Sequence, residues 1–162
     1  MVSRRLSTAI AFLLVAALVL TLAYQLGAFA LITGSEEEAT VTITDRGGET
    51  LATVDSEVAD TPPERYTGLS DHESLGADEG MLFVFEREST QSFVMRDMAF
   101  PIDIIFIDES GEITTIHEAP VEDDQSELTS YRGEAQWVLE VNYGYAAEHG
   151  ISEGDRVEIE YQ

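Results

Sequence analysis

A chain of 162 residues, 44% of them hydrophobic, has room for one ordinary domain with its own core and a short appendage. Its 32 acidic residues stand against 8 basic ones, all arginine, for a net charge of −24; nothing resembles a basic patch, and nucleic acid is disfavoured as a partner. With no cysteine, disulfides, thiolate nucleophiles and cysteine-rich metal sites are excluded.

The same composition predicts an environment. A chain that takes all its cations as arginine uses the more weakly hydrated guanidinium while covering itself in carboxylates, which reads as adaptation to high salt. In molar salt the Debye length falls to about 3 Å, so the self-repulsion of such a charge is largely screened. Most acidic residues then serve solvation, and a carboxylate by itself says little about catalysis.

Residues 1–35 are predicted to be an N-terminal transmembrane helix. Leu6 to Ile32 carries no charge, and as a helix it would span roughly 40 Å against a hydrocarbon core of about 30 Å. Arg4 and Arg5 precede it and Glu36, Glu37 and Glu38 follow, which places the N-terminus in the cytoplasm and the domain outside a single-pass cell-membrane anchor. The alternative is a cleaved signal peptide, since Ala28-Phe29-Ala30 has the small-residue look of a cleavage site. The apolar run is longer than a signal peptide needs and favours the anchor, but either reading exports the domain. Residues 36–40 read as a polar linker, and 41–162 as the folded domain.

That domain opens with strand-like Val41 and Ile43, then Leu51, Val54 and Val58, joined by a hairpin at "DRGGE". "TPPERYTGL" predicts a short helix with Thr61 as N-cap and Pro62 in its first turn, ending near Gly68. "MLFVF" and "SFVM" are expected as separate short strands. Ile102 to Ile107 is apolar on both alternating faces, so it should be a central strand covered on both sides. "DESG" forms a turn into a partner strand, "EITTIHEA", and Val121 to Gly133 reads as a loop. "QWVLEV" is a strand, and Asn142 is expected to cap a two-turn helix that stops at Gly150 with Ile151 packed against it. An alternating strand with Val157, Ile159 and Tyr161 closes the chain. The class is mainly β, a compact sandwich or barrel-like domain with two short helices.

Familiar catalytic patterns are missing. His72, His117 and His149 are scattered, "HEAP" lacks a second histidine, and "DESGE" and "EDDQSE" lack the ligand spacing of a calcium loop. No G-x-S-x-G elbow and no Walker sequence is present. No metal, no cofactor and no catalytic residue is assigned.

The best-marked stretch is "SFVMRDMAFPIDIIFIDESGEI", from Ser92 to Ile113. Asp103 begins an otherwise apolar face shared with Ile105 and Ile107, and a buried carboxylate there must be paired or hydrogen-bonded. One reading pins Asp103 to Arg96 or to backbone amides. The other makes it the polar floor of a shallow pocket lined by Phe93, Met95 and Met98. The candidate cluster is Phe93, Met95, Arg96, Asp97, Asp103, His117 and Glu140, with Trp137 expected over the core.

Three blocks, "YTGLSDHESLGADEGMLFVFE", "SFVMRDMAFPIDIIFIDESGEI" and "WVLEVNYGYAAEHGISEGDRVEI", together resemble the DUF192 family of small, often exported domains of unknown function. The resemblance runs from about Val54 to Ile159 and implies the mainly β fold. Where that family commonly reads S-F-W-M-K-N-T, this chain has Ser92-Phe93-Val94-Met95-Arg96-Asp97-Met98, and the cysteine pair of many exported members is replaced by "EDDQSELTS". The resemblance brings no established activity.

The expectation is therefore a membrane-anchored, extracytoplasmic binding or envelope-assembly module, adapted to high salt, whose partner is an unknown envelope protein or small ligand. The rival is a hydrolase or sugar-processing enzyme using Asp103 with Glu118 or Glu140 as acid and base. An enzyme requires at least two of these carboxylates to converge in one cleft.

Overall fold

The computed structural model describes residues 37–162, so the predicted anchor and the first of the three glutamates after it lie outside the described residues. Among the described residues, no helix is long and apolar enough to cross a membrane.

Strands β1 (Glu38–Thr44) and β2 (Thr50–Ala59) form an antiparallel hairpin. Its turn is held by Asp45, whose carboxylate accepts the Gly47 and Glu49 amides, each at 2.8 Å. Helix α1 (Pro62–Thr67) starts with a full capping box: the Thr61 hydroxyl accepts from the Glu64 amide at 3.4 Å, and Glu64 accepts from the Thr61 amide at 3.0 Å. A 3-10 turn, Gly68–Asp71, completes the crossover that lets β3 (Glu79–Phe93) run parallel to β2.

The two short strands expected at "MLFVF" and "SFVM" are one long strand, β3, whose pairing shifts register between Val84 and Ser89. Polar residues 86–92 hid its continuity, because this part of the strand is largely solvent-facing. β4 (Ile102–Ile107) has all six residues buried, with β5 (Ile113–Ala119) and β6 (Tyr131–Asn142) on its two sides. It is covered on both faces as expected, although it stands one strand from the end of the order rather than in the middle. β6 also absorbs Tyr131, Arg132 and Gly133, which shortens the expected loop.

Helix α2 (Tyr145–His149) ends as predicted. Gly150 adopts a left-handed conformation, and the Gly150 and buried Ile151 amides reach back to Ala147 and Ala146 at 3.4 and 2.8 Å. Its start differs: Gly144, not Asn142, stands at the N-cap with φ 81°, and the Asn142 side chain donates to the Gly76 carbonyl at 2.7 Å. β7 (Arg156–Tyr161) finishes the chain.

The seven strands make one sheet in the order β5-β4-β6-β3-β2-β1-β7, antiparallel except for β2 and β3. The two terminal strands touch: the Ile113 amide donates to Asp155 at 2.9 Å and the Val157 amide to Gly111 at 2.8 Å. The two ends of the order thus meet at one isolated bridge, Glu112 to Arg156, within a single sheet rather than two stacked ones.

Each face carries its own core. Val41, Ile43, Val54, Leu82, Ile105, Leu139 and Val141 form one cluster, with Trp137 packed against it. On the other face Met81, Phe83, Ile102, Ile104, Phe106 and Val138 form a second, covered by Leu69 and Met95. Burying each large apolar side chain contributes roughly 1.5–3 kcal/mol, so both clusters matter to stability. β4 and β6 belong to both, since alternate residues of each strand point to opposite faces.

Candidate functional site

Three carboxylates are buried among the described residues: Asp103, Glu140 and Asp155. Burial of a carboxylate is costly unless hydrogen bonds compensate it. Asp155 meets this condition through the Ser152 amide at 2.8 Å, closing the turn before β7. Asp103, 1% exposed, accepts from the Gly144 amide at 3.0 Å and the Ala146 amide at 2.9 Å. It therefore satisfies two of the open donors at the start of α2, as an N-cap side chain would, but from a neighbouring strand. Burial, with a smaller push from Glu118, raises its pKa, and the two amide bonds pull against that rise.

Glu140 is different. It is 6% exposed and forms no hydrogen bond among the described residues, and burial alone pushes its pKa up to about 8. Strand register explains its position: Glu140 faces Met81 of β3 and Ile104 of β4, on the side of the second cluster. There it lines a cavity of about 230 Å³ together with Leu69, Phe83, Phe93 and Met98.

The cavity lies between α1 with its 3-10 turn, β3 and the segment after β3. Phe93 anchors its wall, edge-on to Phe83 at 4.9 Å and to Phe106 at 5.9 Å. Gly68 supplies the tight passage from α1 to the 3-10 turn; its φ is 52°, and a Cβ there would come within 3.1 Å of the Phe83 ring. Arg65 and Arg96 also line the cavity, both half-buried. Arg65 donates to the Val84 carbonyl at 2.9 Å and lies over the Phe85 ring, and Arg96 donates to the Tyr66 carbonyl and sits 3.9 Å from the centre of the Tyr66 ring. Both guanidiniums are thus held in place by backbone and by stacking.

The predicted cluster divides between the faces. Phe93, Arg96 and Glu140 share the cavity, with Met98. Met95 is 1% exposed and belongs to the second core cluster. Asp97 has φ 54°, a conformation that Asp and Asn tolerate better than most residues, and its amide donates to the Gln125 side chain at 2.9 Å. Asp103 is bound by α2 amides and not by Arg96. The His117 ring packs against Phe106 and Tyr131, and its Nε2–H donates to the Arg132 carbonyl at 2.9 Å.

Beside Asp103 lies an open hollow of about 450 Å³, lined also by Ile116, Glu118 and Ala147. Asp103 and Glu118 are cross-strand partners, and Glu118 accepts from the Tyr143 hydroxyl at 3.2 Å. Asp103 and Glu140 do not converge, because they point to opposite faces. No group of three or more His, Asp or Glu side chains among the described residues is placed to hold a metal ion.

Sequence reasoning placed Glu140 in the candidate cluster and as a possible partner of Asp103, but missed Arg65, Leu69 and Phe83 as its neighbours. The available signal was Glu140 in phase with Val138 in a strand, "QWVLEV", apolar on both faces. The neighbours depend on the α1 crossover, which no local pattern reveals.

Comparison with known proteins adds a family and two structures. The model of the DUF192 family, described as "Uncharacterized ACR", matches residues 42–159. A structure from Novosphingobium aromaticivorans DSM 12444, of unknown function, is 34% identical with a TM-score of 0.69, over 78% of this chain and 88% of that one. Another, from Sinorhizobium meliloti 1021 and provisionally assigned as a transcription regulator, is 33% identical with a TM-score of 0.67, over 75% of this chain and 92% of that one. No curated protein matches the chain.

Proposed function

From the premise that the chain belongs to the DUF192 family, we propose that it is a small-ligand binding module, carried outside the cell on its N-terminal segment and adapted to high salt, with its ligand in the Glu140 cavity. The observation that carries this reading is the contrast among the buried carboxylates. Asp103 and Asp155 are compensated by backbone amides and explain local folds, whereas Glu140 has no hydrogen-bond partner among the described residues and lines a cavity with Leu69, Phe83 and Phe93. A buried polar group without a structural partner, in a concave site that joins apolar side chains to a few polar ones, is what a ligand would complete.

The membrane location rests on the charge-free run from Leu6 to Ile32, and the salt adaptation on the charge of −24 without lysine. That charge also argues against carrying over a role in transcription from the Sinorhizobium protein. The hydrolase reading keeps one of its two pairs, since Asp103 and Glu118 line the same open hollow, but Asp103 and Glu140 occupy opposite faces and both Asp103 oxygens are committed to amides at the start of α2.

A ligand screen in molar KCl, followed through the methionine methyl resonances, tests the proposal. Binding should move the signal of Met98, which lines the cavity, and Glu140→Leu should weaken the ligands found. Ligands that bind without affecting Met98, or that bind the Glu140→Leu variant equally, would place the site elsewhere.

A further inference from the structure

Of the six arginines among the described residues, only one forms an ion pair, so what distinguishes Arg65 and Arg96 is their place in the wall of one cavity. Arg156 pairs with Glu112 at 3.6 Å, but neither Arg65 nor Arg96 forms an ion pair among the described residues. Both instead spend donors on backbone carbonyls and lay their planar groups on aromatic rings. They line the same cavity, half-buried, while Glu140 is buried. Neither guanidinium forms an ion pair with Glu140 among the described residues.

The cavity therefore carries ionisable groups of both kinds. Its lining combines two half-buried guanidiniums, apolar side chains and one buried carboxyl. Resting on the reading of this cavity as the binding site, we propose that its ligand is a small organic anion: the acidic group docks against Arg65 and Arg96, an apolar body lies on Leu69, Phe83 and Phe93, and a hydrogen-bond acceptor meets the Glu140 carboxyl.

Charge and size both restrict the class. A cationic ligand would meet two guanidiniums in the cavity lining, and a neutral one would leave their remaining donors unused, whereas a carboxylate or phosphate can take planar, charge-assisted hydrogen bonds from them. A volume of about 230 Å³ corresponds to about eight waters of liquid, which suits one small ring or a short chain. The net charge of −24 repels anions at long range, but molar salt confines that repulsion to about 3 Å while leaving contact pairs in the cavity. High salt and an anionic ligand are thus compatible.

Three matched probes test the assignment on the full chain at neutral pH and fixed ionic strength: 4-hydroxybenzoate, its neutral amide 4-hydroxybenzamide, and the cationic tyramine. Calorimetry gives affinity and the Met98 methyl resonance gives location. The expected result is a Met98 shift with 4-hydroxybenzoate and affinity about tenfold or more above the other two. Arg65→Gln and Arg96→Gln should each reduce that preference, while Arg46→Gln, which removes a guanidinium bonded to the distant Glu153 carbonyl, should leave it intact. Equal affinity for all three probes at Met98, or preference for tyramine, overturns the anion while leaving the cavity as a binding site. If none of the probes moves Met98, the anion assignment and the cavity reading both fall.

Discussion

Asp103 and Glu140 lie on adjacent strands one register step apart, Asp103 opposite Val141 and Ile104 opposite Glu140, so the two buried carboxylates point to opposite faces of one sheet. Only Asp103 has hydrogen-bond partners among the described residues. Similar burial therefore has different consequences on the two sides: one acid organises a helix, and the other lines a cavity.

Asp103→Ala should lower unfolding stability by about 1–3 kcal/mol, because it strips both acceptors from the α2 amides. Asp103→Asn, which keeps one acceptor, should lose less. Denaturant unfolding of the two variants checks this, and an unchanged midpoint for Asp103→Ala would remove its structural role.

Gly133 faces the second cluster, where an added Cβ would fall 2.5 Å from the buried Phe106 ring. Gly133→Ala should then cost about 1–3 kcal/mol through displacement of that ring, and the loss should be visible in thermal unfolding. Wild-type stability would mean that Phe106 has room to move.

His72 bridges Glu57 of β2 at 3.2 Å and Asp71 at 3.0 Å. Burial pulls its pKa down, but the two carboxylates outweigh this and raise it. A raised folded-state pKa gives stability that is full below the unfolded value of about 6.5 and is lost as pH rises through the folded value. His72→Gln should therefore destabilise at pH 5.5, by less than about 1 kcal/mol for so accessible a pair, and be nearly neutral at pH 9. Equal effects at both pH values would show that packing, not charge, is what His72 contributes.

The charge of −24 predicts that residues 37–162 unfold as salt is withdrawn, since longer screening lengths restore carboxylate repulsion. Circular dichroism from molar to millimolar KCl measures this. Cooperative unfolding that is the same at both ends would contradict the halophilic reading.

Elements were legible where side chains and backbone agree locally. Thr61 and Glu64 announced α1, Gly150 and Ile151 announced the end of α2, and the six apolar residues of β4 announced a strand covered on both faces. The start of α2 was misread because its cap comes from Asp103, some 41 residues earlier in the chain, and a sequence scan looks for caps next to the helix. Likewise, Asp103 carried the attention that Glu140 deserved, since the buried end of the "SFVMRDMAF" block is packed by Met95 while its Arg96 turns to Tyr66. Which carboxylate remains unpartnered is decided by tertiary contacts.

The most direct test of the account is the stability of Glu140→Gln against wild type from pH 5 to pH 9.5. A folded-state pKa raised from 4.5 to about 8 means that the folded protein holds a proton the unfolded chain has released, so wild-type stability falls as pH rises through this window. Glutamine does not ionise, so the variant should gain on wild type steadily with pH, by a few kcal/mol at the upper end. A variant less stable than wild type at every pH would show that Glu140 has a structural partner and serves the fold rather than a ligand.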